Sequence, residues 1–194
     1  MNKPKIKQHL RRNFFALAIV GALFTLPRAE AGPPIPVTGY SIDCERVISV
    51  QTVGPNTIII LSETACLHGT FEGTLVGTER DVIHPNGTVT IQSSGVFSGT
   101  VNDGTVNGRS GTCVISSAVS LTRNGDVTHW VVDQGTGDLA GLSGQGTFQG
   151  DAIEHGPGCP VPGSGFDCVV CPPPTGPCDD SFTLYSTGQI QFAP

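Results

Sequence analysis

The sequence predicts an all-β domain, and three observations carry this prediction. Glycine accounts for 26 of the 194 residues, whereas charged residues make up only 13% of the chain. Short runs of alternating or β-branched residues are separated by Asn-Gly and Asp-Gly pairs, which are strong hairpin signals because both residues tolerate positive φ. No segment has a sustained helical period. This combination is typical of many short strands joined by tight turns.

The first residues predict an export signal. Basic residues precede an apolar run of 13 residues, Phe14–Leu26, and Ala29-Glu30-Ala31 supplies an A-x-A cleavage pattern. The run is shorter than the roughly 20 residues of a membrane span, so a signal anchor is the less favoured alternative. We expect residues 1–31 to be a signal peptide and residues 32–194 to be a single secreted or periplasmic domain without a membrane span. Arg11-Arg12 leaves the twin-arginine route open beside the Sec route.

The mature chain is strongly acidic. The predicted signal holds six of the ten Lys and Arg residues and one of the sixteen Asp and Glu residues, which leaves four basic and fifteen acidic groups and a formal charge of −11. Such a surface repels phosphate backbones and anionic lipids, which argues against nucleic-acid and membrane-surface partners. Asp133 and Asp138 flank a Gly-Thr-Gly turn, but their spacing matches no EF-hand or repeat-type calcium loop, so no metal site is predicted.

All seven cysteines lie in the mature chain, where disulfides are their expected state. They are Cys44, Cys66, Cys113, Cys159, Cys168, Cys171 and Cys178. Four fall within the proline-rich residues 159–178, which predicts a disulfide-knotted loop; residues 156–180 are then an insertion before the last strand, not a second domain. Zinc bound by four thiolates is the alternative, disfavoured because no histidine lies among them. The odd cysteine is expected to be a buried, inert thiol rather than a bridge to another chain.

Five segments have the clearest strand patterns. They are Val47–Val53, Thr57–Leu61, Thr112–Thr122, Val127–Asp133 and Ser181–Phe192. In the last of them, apolar residues at alternate positions predict one buried face, formed by Phe182, Leu184, Ile190 and Phe192. A closing strand of this kind seals a sheet into a barrel and removes its edges.

A short motif, G-x-F-x-G, occurs three times. The copies are Gly69–Gly73, Gly95–Gly99 and Gly146–Gly150. In a strand the two glycines and the phenylalanine share one face, because the side-chain period is two residues. Small barrels alternate small and large interior groups in this way, so the motif also indicates a barrel.

The segment Gly135–Phe148, with Gly69–Thr78, Gly108–Thr112 and Trp130–Val132 in the same order, carries a family resemblance. It resembles the G-T-G-x-L-A-G-L-x-G-x-G-x-F signature of a family of mostly uncharacterised bacterial domains, similar in fold to allene oxide cyclase and dirigent proteins. The resemblance implies an antiparallel eight-stranded barrel with a central cavity. Family members of known activity guide cyclisation or radical coupling of small hydrophobic molecules. Their catalytic residues have no counterparts placed on this chain, and the cysteine-rich insertion departs from the pattern.

Four residues are candidates for chemistry. Glu63 and Glu72 are candidate barrel-lining acids, which in an apolar cavity would have separated pKa values and could act as acid and base, although surface exposure is the commoner case for each. Arg109 could bind an anion at the barrel mouth, or be a solvated turn residue. His129 shares a face with Val127 and Val131 and could be a general base, although a packed, hydrogen-bonded histidine is the commoner case.

These observations favour an exported β-barrel that binds a small, mainly apolar molecule and could have cyclase-like or isomerase-like activity, with Glu72 and Arg109 as its polar pair. The alternative is a non-enzymatic structural or interaction protein of the cell exterior. No nucleophile elbow, phosphate-binding loop or zinc-protease motif occurs, and no cofactor is predicted. The sequence defines no oligomeric state.

Overall fold

The computed structural model describes residues 32–122, 125–154 and 178–193. The predicted signal peptide and most of the cysteine-rich insertion lie outside these residues. Eight strands account for most of the described chain: β1 (Ile35–Val53), β2 (Asn56–Gly69), β3 (Phe71–Ile83), β4 (Val89–Val101), β5 (Arg109–Thr122), β6 (Gly125–Gly137), β7 (Leu142–Glu154) and β8 (Asp180–Phe192). Nowhere in the described ranges does a helix occur that is long and apolar enough to cross a membrane.

The strands form a closed antiparallel barrel. Each strand pairs with the next along the chain, and β8 pairs with β1 to complete the ring. The predicted fold class, an all-β eight-stranded antiparallel barrel, is therefore confirmed. The predicted closing strand is also confirmed, because Ile35–Glu45 of β1 pairs with Asp180–Ile190 of β8. The turn at Asn86-Gly87 joins β3 to β4, as the sequence indicates.

The barrel interior is apolar at one end. This end is formed by the starts of the odd-numbered strands and the ends of the even-numbered strands, and it contains the rings of Phe71, Phe97 and Phe192. The Phe71 and Phe97 rings pack edge to face with their centroids 5.3 Å apart, and Phe71 meets Trp130 in the same manner at 6.5 Å. Edge-to-face contacts add a small stabilisation beyond the burial of the rings themselves.

Interior glycines make room for these rings. Gly73 faces Gly99 across β3 and β4, and the Phe97 ring lies over both, so that a Cβ at Gly99 would be 2.9 Å from Phe97 Cζ. Gly146 and Gly188 face each other across β7 and β8 beneath the Trp130 indole. The G-x-F-x-G motif thus combines a ring and the space for a ring on the inner wall.

A disulfide joins Cys44 in β1 to Cys178, which precedes β8. Cys66 is also disulfide-bonded. Among the described cysteines Cys113 is a free thiol; it is buried, and burial raises its pKa to about 12, which suits the expected inert thiol. Cys178 is therefore bonded to β1 and not to another cysteine of the predicted loop. The other cysteines of the predicted disulfide-knotted loop, Cys159, Cys168 and Cys171, lie outside the described residues.

We predict that Gly188→Ala destabilises the barrel, because its Cβ would be 2.5 Å from Trp130 Cζ2 and close to the backbone of β7. Overpacking of this kind lowers the free energy of unfolding by about 1–3 kcal/mol. Gln189→Ala, the next residue and an exposed one, is the matched control, with an expected change within about 0.5 kcal/mol. Denaturant unfolding of both variants is the measurement. Equal stabilities would contradict a role for Gly188 as space for the indole.

Candidate functional site

A cavity of about 100 Å³ lies inside the barrel, next to the apolar end. Much of its wall is apolar, and these residues include Leu75, Ile115, Trp130, Phe148 and Leu184. The polar part of the wall includes Ser41, Asp43, Glu63, Ser93 and Ser117. A mainly apolar cavity with a few convergent polar groups is the usual form of a small-molecule site.

Five carboxyl groups lie on the inner side of β1, β2 and β3, and we call them the acidic cluster. They are Asp43, Glu45, Glu63, Glu79 and Asp81. Glu45 lies directly opposite Glu63 in the β1–β2 ladder, and Asp43 is two residues further along β1. Four of the five are buried and Asp81 is half-buried. The cluster extends from the cavity wall toward the barrel end that is opposite the phenylalanines.

Asp43 and Glu63 are the two members of the acidic cluster that reach the cavity. Ser41 Oγ donates a hydrogen bond of 2.6 Å to Asp43 Oδ2, and Ser93 hydrogen-bonds to Glu63. Burial raises the pKa of Glu63 to about 7, and burial together with the charge of Glu63 raises the pKa of Asp43 well above its ordinary value. A carboxyl with a pKa near neutrality can both donate and accept a proton.

Glu79 keeps its proton well above neutral pH. Burial and the charges of Glu45 and Asp81 raise its pKa to about 10. Glu79 makes side-chain hydrogen bonds with both of these neighbours, and burial also raises the pKa of Glu45 to about 7. A protonated Glu79 can donate to an ionised neighbour, which limits the repulsion among the three groups.

Several buried polar atoms in this region have no hydrogen-bond partner. Glu63 Oε2 and Trp130 Nε1 are two of them, and both residues line the cavity. Glu63 is 7% exposed and Trp130 is 4% exposed, so bulk water has little access to either residue. A buried donor or acceptor without a partner carries a desolvation cost, which a bound molecule or water can remove.

The structure separates the candidates that the sequence suggested. Glu63 lies in the cavity wall. Glu72 is exposed, where it accepts hydrogen bonds from His68 Nδ1 at 2.9 Å and from the Gly69 backbone N–H. His129 is exposed with Val127 and Val131 on the outer face, while Trp130 points inward. The alternation predicted for β6 is therefore present.

Arg109 does not accompany an acid in the cavity. Its Nε donates a hydrogen bond of 2.8 Å to Asp103 Oδ2, and its guanidinium lies 3.9 Å from the centroid of the Phe192 ring. It therefore covers the apolar end of the barrel. The sequence suggested Glu72 and Arg109 as a polar pair within the cavity. This prediction is wrong, because both residues are exposed at the surface.

Four members of the acidic cluster were not singled out from the sequence. Asp43 and Glu45, like Glu79 and Asp81, are spaced two residues apart, so each pair occupies one face of its strand. That spacing is the signal available in the sequence. In the described part of the chain, no group of three or more His, Cys, Asp or Glu side chains is arranged to hold a metal ion.

The fold and site define a closed β-barrel with a small interior cavity and buried carboxyls beside it. No family model and no curated protein matches the chain. A crystal structure of a DUF3224-family protein of unknown function from Shewanella oneidensis MR-1 is similar in fold. Its TM-score is 0.56 at 17% sequence identity, and the alignment covers 84% of this chain and all of that one. The likeness shows the fold alone, and membership in the allene oxide cyclase-like family stays a prediction.

We predict that the barrel loses stability as pH rises from about 5 to about 8. The unfolded chain ionises its glutamates near pH 4.3. The folded chain retains these protons up to about pH 7 at Glu45 and Glu63 and about pH 10 at Glu79. Between these limits the folded state binds more protons, so the free energy of unfolding falls with rising pH. Thermal denaturation at several pH values is the measurement.

Glu79→Gln tests the origin of this pH dependence. The amide is neutral at every pH, so the variant should have a higher Tm than the wild type near pH 8 and a similar one near pH 5. Asp138→Asn removes a carboxylate from an exposed turn and serves as the control. A wild-type Tm that rises over this pH range would contradict the proton-holding role of the acidic cluster.

Proposed function

We propose that this protein is an exported β-barrel that binds a small, mainly apolar molecule in its interior. The observation that carries the proposal is the cavity, in which Glu63 Oε2 and Trp130 Nε1 lack hydrogen-bond partners. The apolar wall supplies contact area, and the two polar atoms supply orientation. The disulfide between Cys44 and Cys178 supports a location outside the cytoplasm, since such bonds persist in oxidising compartments.

The size of the cavity limits the bound molecule. In another protein, an apolar cavity of about 150 Å³ accommodates a benzene ring. A cavity of about 100 Å³ therefore suits a group of about one ring or a short aliphatic chain, with slight adjustment of its wall. The rings of Phe71, Phe97 and Phe192 occupy the apolar end, so a ligand would lie between them and the acidic cluster.

Acid–base catalysis of the cyclase or isomerase kind is the second candidate function. Asp43 and Glu63 reach the same cavity, and the pKa of Glu63 is raised to about 7. A carboxyl of that kind can move a proton within a substrate at neutral pH. The residues that would carry this chemistry are these two acids rather than Glu72 and Arg109, which lie at the surface.

Two serine pairs offer a matched test of binding. Ser93 and Ser117 hydrogen-bond across β4 and β5 in the cavity wall, with their Oγ atoms 2.9 Å apart. Ser94 and Ser116 form the same bond at the same distance on the outer face. Ser117→Leu therefore fills part of the cavity, whereas Ser116→Leu adds equal bulk outside it.

We predict that wild-type protein purified from the exported fraction carries a reproducible small-molecule adduct in native mass spectrometry. Ser117→Leu should lose most of that adduct because the leucine occupies its space, and Ser116→Leu should keep it. Circular dichroism checks that both variants fold. A bare wild-type mass would instead favour the structural or interaction role, and an adduct kept by Ser117→Leu would place the bound molecule outside the barrel.

The recovered molecule then tests the second candidate. It is incubated with wild-type protein and with Glu63→Gln, and the products are separated by chromatography. Conversion to an isomer of equal mass by the wild type, with loss of at least about a hundredfold in Glu63→Gln, would support acid–base catalysis. Recovery of unchanged molecule from both proteins would leave a binding function without turnover.

A further inference from the structure

The barrel interior contains buried carboxyl groups, and no described arginine lies on the same face of the sheet. The described arginines lie elsewhere: Arg46 and Arg80 occupy outward positions of β1 and β3, and Arg109 covers the opposite end of the barrel. His68 also lines the cavity, but its Nδ1 is bonded to Glu72. The groups that face Glu63 are the carboxyls of the acidic cluster and the hydroxyl of Ser93. Asp180 of β8 adds a further negative charge close to Glu45.

Burial of so many acids is costly unless their charge is removed or balanced. Protonation removes the charge, and a cation bound among the carboxylates balances it. A metal ion is a poor candidate, because no three described acidic, histidine or cysteine side chains converge in a metal-holding arrangement. An organic cation needs fewer ligands, since one ammonium group is satisfied by two or three hydrogen-bond acceptors.

An unpartnered carboxyl oxygen lies where such a cation would bind. Glu63 Oε2 is a buried acceptor without a donor, in the wall of a cavity that Asp43 also reaches. The rest of that wall is largely apolar and includes Ile115, Trp130 and Phe148. The cavity thus has an anionic end and an apolar body.

We infer that the ligand of this barrel is a small amine, whose ammonium group binds Glu63 and Asp43 and whose apolar body lies against Trp130 and Phe148. This inference rests on the proposed binding function and names its ligand class. The ammonium N–H groups donate to Glu63 Oε2 and to Asp43. The carboxyl group releases its proton to solvent when the ammonium binds, so that the positive charge of the amine balances the carboxylate. The apolar body occupies the space between the acids and the phenylalanines.

Benzylamine and benzyl alcohol form a matched pair of probes, because they share a ring and differ in the charge of one group. By isothermal titration calorimetry near pH 8, benzylamine should bind wild-type protein at least about tenfold more tightly than benzyl alcohol, the discrimination expected of a charge-assisted hydrogen bond. Glu63→Gln should reduce the preference to within about threefold, mainly through weaker binding of benzylamine. Asp43→Asn is the second variant, and Asp138→Asn, exposed in a turn, is the control.

Proton release gives a readout that a purely structural role for Glu63 would not change. Because burial raises the pKa of Glu63 to about 7, ammonium binding near pH 6.5 must displace protons. The observed binding heat should then vary with the ionisation enthalpy of the buffer, and benzylamine affinity should fall as pH drops below about 7. Benzyl alcohol should show neither effect.

The outcomes separate the two proposals. Equal affinity for the two probes in wild-type protein, or an amine preference that survives in both Glu63→Gln and Asp43→Asn, would overturn the amine inference and leave binding of an apolar molecule in place. Absence of binding by both probes would overturn the inference and also argue against the proposed binding function. A preference that is lost in Glu63→Gln, with proton release in the wild type, would support it.

Discussion

The interior of an eight-stranded barrel is narrow, and the packing of this protein depends on where its inner wall has no side chain. Facing glycines on β3 and β4 accept the Phe97 ring, and a second facing pair on β7 and β8 accepts the Trp130 indole. Each large ring therefore fills space that a neighbouring strand leaves free. This alternation closes one end of the barrel with apolar groups and leaves the cavity at the inner edge of that packing.

The other end of the barrel interior is lined by the acidic cluster rather than by apolar rings. Buried carboxyls such as Glu63 and Glu79 do not add to hydrophobic stabilisation, and their raised pKa values mean that the folded state favours their protonated forms. An apolar residue at these positions would remove that cost. Under the proposed binding function, these acids would be kept for the ligand at the expense of stability.

Alternation along the strands allowed the barrel and the inward face of β8 to be predicted. The sequence also offers Glu63 as a candidate lining acid, although surface exposure is the commoner case for a glutamate. The remaining acids were less accessible to the same reasoning. Asp43 and Glu45 alternate with Ile42 and Cys44, so the apolar residues of that segment suggest the wrong inner face. Glu72 illustrates the converse, because it lies between the inward-facing Phe71 and Gly73 and therefore on the outer face of β3. The volume of the cavity and the proximity of carboxyls on separate strands depend on how the strands pair. They could therefore not be predicted from the residues of any one strand.

Ring closure gives this barrel an order of assembly. Each pairing from β1–β2 to β6–β7 joins strands that are adjacent in the chain, so their hairpins close short loops. Pairing of β8 with β1 is the step that joins distant parts of the chain, and Cys44 and Cys178 are 134 residues apart. Because β1 is synthesised first, the edge of β1 that pairs with β8 stays unpaired until β8 has been made. An unpaired strand edge can pair with other chains. Once β1 and β8 have paired, the disulfide between Cys44 and Cys178 holds these two strands together.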